Sequence, residues 1–257
     1  MKDTRTSTRA AVHAPQWAFR WALAVCFSVP VSLSPAGAAE GGLTVDTLAT
    51  AFQEVVFKTE SGPGSQGKPV VKWQGPIAAS LEGAEAATYR KDIDALFKQL
   101  QLLTGLQFVV VAPGSPSNMT IRFMPTAEIR RIAQETRINC YGTFRGSSKD
   151  FSIRQADVYI STDTEQKTRH CIPEEIAQVL GLPNDTPLIP DSNFNDDNTT
   201  LTGLSLSDKI LVRTLYDRRI RPGMSAAEAR PVARQVIGEM LSKLEAGAAA
   251  AKPAPQR

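Results

Sequence analysis

The segment that most constrains the fold is Glu174-Glu175-Ile176-Ala177-Gln178-Val179-Leu180-Gly181-Leu182-Pro183-Asn184. Residues four apart nearly eclipse on a helix, so Glu174 and Gln178 project from one face. Ile172, Ile176, Val179 and Leu180 fall on the other side, which commits the helix to packing against an apolar core. Gly181 reads as a stop that lets the backbone pass through positive φ before Pro183 and Asn184. His170, the last histidine in the chain, lies just upstream, within pairing distance of Glu174 one turn on. Taken one at a time, these residues also fit a solvated helix face followed by ordinary turn chemistry.

Around that segment, strand-like and helix-like runs alternate. Leu43, Leu48, Phe52, Val55 and Val56 predict a short helix over Leu43–Phe57, followed by a linker rich in glycine and proline from Ser61 to Lys68. Val70–Ile77 reads as a first strand. Glu85–Leu103 is the clearest helix, with Ile93, Leu96, Phe97, Leu100 and Leu103 recurring at three and four and Gly105 as its stop. Leu106–Ala112, Met119–Met124, Tyr141–Arg145 and Ala156–Ser161 read as strands, and Ile129–Thr136 fits a helical insertion. A polar loop from Pro183 to Thr200 leads to an amphipathic helix over Ser207–Tyr216. Ser225 and Glu228 form a capping box for a last helix reaching about Leu244. The Ala/Pro/Lys tail from Ala246 onward is expected to be disordered.

Lys2, Arg5, Arg9 and Arg20 precede an apolar stretch from Trp21 to Leu33, and Ala36-Gly37-Ala38 supplies small residues for cleavage near Ala38 or Ala39. Residues 1–39 are read as a secretory signal and the protein as periplasmic or secreted. The apolar stretch, roughly 13 residues, is too short to span a bilayer, and no transmembrane segment is expected after it. The signal carries four of the 29 basic and one of the 26 acidic side chains, so 25 of each remain. A neutral body gives no electrostatic reason to expect nucleic acid or an anionic membrane as partner. Cys140 and Cys171 are the only cysteines beyond the signal. In an oxidising compartment an even pair points to a disulfide; a metal site built from Cys140, His170 and Cys171 is the rival reading.

The Glu174–Asn184 segment resembles the zincin motif HExxHxxGxxH, with the general-base glutamate kept as Glu175 and the turn glycine as Gly181. Glu174, Gln178 and Asn184 stand in the three ligand positions. The resemblance covers roughly residues 70–217, because strand, long helix, several strands and then motif helix is the order of the metzincin catalytic domain. Ala156-Asp157-Val158-Tyr159-Ile160 is similar to the edge strand that precedes the metal helix in matrix-metalloprotease-like enzymes. Asp191-Ser192-Asn193-Phe194-Asn195 falls where those enzymes carry the Met-turn, with Phe194 nearest the methionine. Leu206-Ser207-Asp208-Lys209-Ile210 through Leu215-Tyr216 looks like their closing helix. The EExxQxLGLxND and FNDD segments are also similar to an uncharacterised family of secreted bacterial proteins. The resemblance implies an α+β fold of metzincin type, a mixed twisted sheet packed on two long helices, spanning residues 70–245 with the C-terminal helix included. An N-terminal helix and linker (40–69) would precede it and the tail (246–257) would follow.

Zinc in proteins favours imidazole nitrogen and thiolate sulfur, and neither occurs at the ligand positions of this motif, so no zinc or other cofactor is expected. If a metal binds, Glu174, Gln178, Asn184 and Asp185 form the set, and their oxygens suit calcium or magnesium, with Asp191, Asp196 and Asp197 nearby. Glu175 is the one candidate catalytic residue. Without a metal its attacking water keeps bulk acidity, and general-base help of about 10²–10⁴-fold falls short of peptide hydrolysis. Glu174, Gln178, Asn184, Asp185 and His170 are expected to line the former substrate cleft. The expected function is that of an exported pseudo-peptidase, binding a peptide or envelope protein in extended conformation by edge-strand pairing without turnover. The alternative is a hydrolase with a rebuilt site using Glu175, with or without a non-zinc divalent cation. Arg218, Arg219 and Arg221 read as a solvated basic loop.

Overall fold

The computed structural model describes residues 43–58, 68–198 and 200–250. The chain divides into two units, Met1–Glu40 and Gly41–Arg257, and every described residue belongs to the second. The expected signal segment, nearly all of the linker and residues 251–257 lie outside the described residues. Six helices and six strands form among them: α1 (Val45–Phe57), β1 (Lys72–Trp73), β2 (Ile77–Glu82), α2 (Ala86–Thr104), β3 (Phe108–Val110), β4 (Met119–Met124), α3 (Thr126–Ala133), β5 (Tyr141–Gly146), β6 (Ser152–Ser161), α4 (Glu165–Gln178), α5 (Leu206–Leu215) and α6 (Ala226–Ala250). The class is mixed α/β, consistent with the expected α+β fold. Among the described residues no helix is long and apolar enough to cross a membrane.

The strands form one sheet in which β3, β2, β4 and β6 pair in parallel, β1 pairs in parallel with the start of β6, and β5 runs antiparallel to β6. Period-two alternation decides the faces. Met119, Ile121 and Phe123 of β4 are buried together with Ala156, Val158 and Ile160 of β6. On the opposite face Arg122 pairs with Asp157 at 2.7 Å and with Glu82 at 2.9 Å. The helix-facing side is closed by α2 and α4. These two are tied by Arg169, whose guanidinium lies 2.7 Å from Asp92 and over the Tyr89 ring.

Several expectations are corrected. Ala156–Ile160 is not an edge strand: β6 pairs with β4 on one side and β5 on the other. The edge on this side of the sheet is β5, whose only strand partner among the described residues is β6, and β3 ends the sheet on the other side. Sheet order is a nonlocal property, and β5 with its two glycines and half-exposed side chains has the weaker pattern of an edge. The first strand breaks at Gly75-Pro76 into β1 and β2, since proline cannot donate to a ladder. The start of the motif helix lies at Glu165 rather than near Glu174, with the Thr164 hydroxyl accepting the Lys167 N–H at 3.2 Å. That helix runs through Pro173, which cannot donate to the Arg169 carbonyl. Ala246–Ala250, expected in the tail, extend α6, because alanine is the strongest helix former. The N-terminal helix belongs to the core: Leu48, Phe52 and Val55 of α1 are fully buried.

Candidate binding cleft

Helix α4 presents Gln166, His170, Glu174 and Gln178 at four-residue spacing, so they form one polar stripe along its axis. All four line a cleft of about 810 Å³ between α4 and the start of β5. The opposite wall runs from Glu135 to Gly142, and Asp185 and Asp196 complete the lining. Ile172, Ile176, Val179 and Leu180 are buried on the far side of α4, as the amphipathic pattern requires.

The imidazole of His170 is fixed by two contacts. Its Nδ1 lies 2.8 Å from the Leu201 carbonyl oxygen, which can only accept, so Nδ1 carries the proton. Nε2 then faces Glu174 Oε2 at 3.4 Å. Glu175 is 5% exposed at the base of the cleft. β5 closes on it through Gly142: a Cβ at that position would meet Glu175 Oε2 and Val179 Cγ1, each at 2.9 Å. A disulfide between Cys140 and Cys171, with Cα atoms 6.0 Å apart, ties the start of β5 to α4 directly beside His170. The rival metal site from Cys140, His170 and Cys171 is thereby corrected, since both thiols are consumed by the bond.

After α4 the chain turns at Gly181, whose φ is +112°. A Cβ there would stand 2.3 Å from the Val71 carbonyl oxygen, so the turn and the close approach both require glycine. The turn does not deliver Asn184 to the cleft. Its side-chain amide donates to the Val55 carbonyl at 3.1 Å, its backbone N–H donates to the same oxygen at 3.2 Å, and it is 3% exposed. Val55 lies in the last turn of α1, where helical carbonyls lack intrahelical partners, and Asn184 supplies the missing donors. The next residue, Asp185, takes the cleft position instead, accepting from Gln178 Nε2 at 3.1 Å.

This geometry decides what the set can hold. Glu174, Gln178 and Asp185 line the cleft, but Asn184 is committed to α1, so the four-residue cation set expected from the sequence does not assemble. The zinc positions offer one carboxylate and one amide, a donor set unsuited to zinc. Among the described residues no three His, Cys, Asp or Glu side chains are grouped to hold a metal ion. Of the other loop acids, Asp196 lines the cleft, whereas Asp191 and Asp197 do not.

The Asp191–Asn195 loop serves a different purpose. The buried Asp208 carboxylate accepts from the Ser192 hydroxyl at 2.6 Å, from Asn193 Nδ2 at 2.7 Å and from the Ser205 N–H at 2.8 Å. One side chain thus caps α5 and pins the loop, with Phe194 driven fully into the core. Arg218 and Arg221 are exposed, as expected of a solvated loop; Arg219, half-buried, also binds Asp217 at 2.9 Å and Glu239 at 2.7 Å, which hold its guanidinium firmly charged.

Of the strand-side wall, Glu135 to Gly142, sequence reasoning marked only Cys140, through its pairing with Cys171 beside His170. It also missed Gln166, which continuing the four-residue spacing back through Pro173 finds, and Thr164 and Lys167, which lie off that stripe.

The fold and cleft define a mixed α/β protein with an acid-rich groove between a helix and an open sheet edge. Residues 45–235 match DUF2927, described as a protein of unknown function, and the chain belongs to that family. A comparison with curated proteins finds no match to the chain.

Proposed function

We propose that this protein is a non-catalytic, metzincin-like binding protein that takes an extended peptide or envelope-protein segment along β5. The observation that carries this reading is the cleft itself, where the start of the outer strand β5, at Tyr141 and Gly142, stands opposite the polar side chains of α4. The metzincin likeness is supported by the antiparallel outer strand next to the motif helix and by the positive-φ glycine that ends the turn. The basic, apolar and small-residue pattern of residues 1–39 supports export to the periplasm or beyond.

A second reading, a hydrolase with a rebuilt site, draws support from Glu175 at the cleft base beside the His170–Glu174 pair. One experiment separates the two. Incubating the full chain with a peptide library and reading the products by mass spectrometry should give retention of peptides without new cleavage products. Cleavage that requires the protein and disappears in Glu175→Gln would establish the hydrolase and sink the binding-only reading.

A further inference from the structure

We infer that the cleft selects an extended segment about five residues long by a basic side chain, lysine or arginine, seated at the Glu174–Asp185 end; this rests on the reading of the cleft as a peptide site. The length follows from the helix. From Gln166 to Gln178, at about 1.5 Å per residue, the lining face of α4 is about 18 Å long. An extended chain advances about 3.3 Å per residue, so roughly five residues lie along it. Tyr141 and Gly142, at the start of β5, stand in the wall opposite α4, and an extended segment between the two walls turns alternate side chains toward α4.

The charge follows from the lining. Five side chains carry carboxyl groups (Glu135, Glu174, Glu175, Asp185 and Asp196), against two permanent cations, Arg137 and Lys167. Both cations are already engaged. Lys167 Nζ lies 3.4 Å from Asp163, and Arg137 lies 3.5 Å from Glu135 with its side chain 90% exposed. Setting aside Glu135 and the buried Glu175 still leaves an acidic excess. It is also uneven along the groove: Lys167 stands toward the start of α4, whereas Glu174 and the Gln178–Asp185 pair stand at its C-terminal end. That end carries the negative pole of the helix dipole, which adds to the same sign. Low-dielectric walls concentrate such a field, so a cationic side chain is attracted and a carboxylate or phosphate is repelled. No three acidic or imidazole groups converge among the described residues; the acids are spread along the groove, and a long side chain with a distributed set of donors suits that spacing better than a bare ion.

The test uses the full chain and three fluorescein-labelled, end-blocked pentapeptides, threonine and valine alternating around a central arginine, glutamine or glutamate. Anisotropy titrations should show the arginine peptide binding at least tenfold tighter than the glutamine peptide, about 1.4 kcal/mol, with the glutamate peptide weakest. Raising sodium chloride from about 0.05 to 0.5 M should shrink that preference, and Glu174→Gln with Asp185→Asn should make the arginine and glutamine affinities converge. Equal binding of all three peptides overturns the basic preference and leaves the peptide site standing, whereas no binding by any of them removes both. A preference that survives the double variant in a folded protein overturns the assigned end of the groove. Should that variant not fold, the salt titration decides, because a preference unchanged at high salt is not electrostatic.

Discussion

A methyl group at residue 181 would stand 2.3 Å from the Val71 carbonyl oxygen and would have to adopt a φ of +112°. Backbone cannot yield as a side-chain tip does, so overpacking of about 1–3 kcal/mol adds to a conformational cost of about 1–2 kcal/mol. Gly181→Ala is therefore expected to lower stability by about 2–5 kcal/mol, read as a fall in the urea midpoint at unchanged m-value. A loss below about 1 kcal/mol would mean that the turn has another conformation. Gly142 is a softer case, because the atoms in its way, Glu175 Oε2 and Val179 Cγ1, belong to side chains. The two glycines differ in how they show themselves in the sequence. Gly181 was legible because a helix stop is a local event, marked by the apolar run before it and the proline after it. Gly142 was not, because its reason is the Glu175 side chain, 33 positions later in the chain. Asn184 failed for the same cause: its side chain answers the orphan carbonyl of Val55, and nothing near residue 184 announces α1.

At the scale of elements, the cleft exists because β5 and α4 are held at a fixed separation, and the Cys140–Cys171 bond is the covalent part of that hold. It closes 31 positions of sequence, for which the loss of unfolded-state freedom corresponds to about 3–4 kcal/mol in the chain-entropy account. Replacing both cysteines by serine should lower unfolding free energy by about that amount and speed amide exchange in Tyr141–Phe144 more than in β4. Exchange that rises evenly across the sheet would show that the bond stabilises the whole fold and does not specifically seat β5. Elements with strong periodicity, such as α2, were legible almost to the residue, since Ile93, Leu96, Phe97 and Leu100 are all buried. The order of strands was not, because which strand lies beside which is set by contacts far apart in the chain, and the weaker pattern of β5 hints at an edge without naming its neighbour. The start of α4 was obscured by Pro173, which locally resembles a first-turn proline although the helix runs through it.

The whole molecule is closed by a buried polar junction that joins its first strand to its last third. Lys72 Nζ donates to the Leu215 and Ile220 carbonyls at 2.8 and 2.5 Å, and Trp73 Nε1 donates to Val179 at 2.9 Å. Tyr216 donates its hydroxyl to the Leu180 carbonyl at 2.8 Å and accepts the Trp73 N–H at 3.3 Å. Burial pushes Lys72 down from 10.5 to about 8, with Asp217 partly opposing. Burial also pushes Tyr216 far above the usual tyrosine range. Below pH 8 both folded and unfolded chains hold the Lys72 proton, and the folded state bears the cost of a buried charge. Between pH 8 and 10.5 the unfolded chain still binds that proton while the folded one has released it, so stability rises with pH by about 3 kcal/mol in all. Above about pH 10 the sign reverses, because the unfolded tyrosine ionises and the folded Tyr216 does not. Urea unfolding between pH 7 and 11 should therefore pass through a maximum near pH 10. Lys72→Met should flatten the rising limb and Tyr216→Phe the falling one. A stability that declines steadily from pH 8 in the unaltered protein would show that Lys72 keeps its charge through solvent or a partner, and that the junction is not closed in solution.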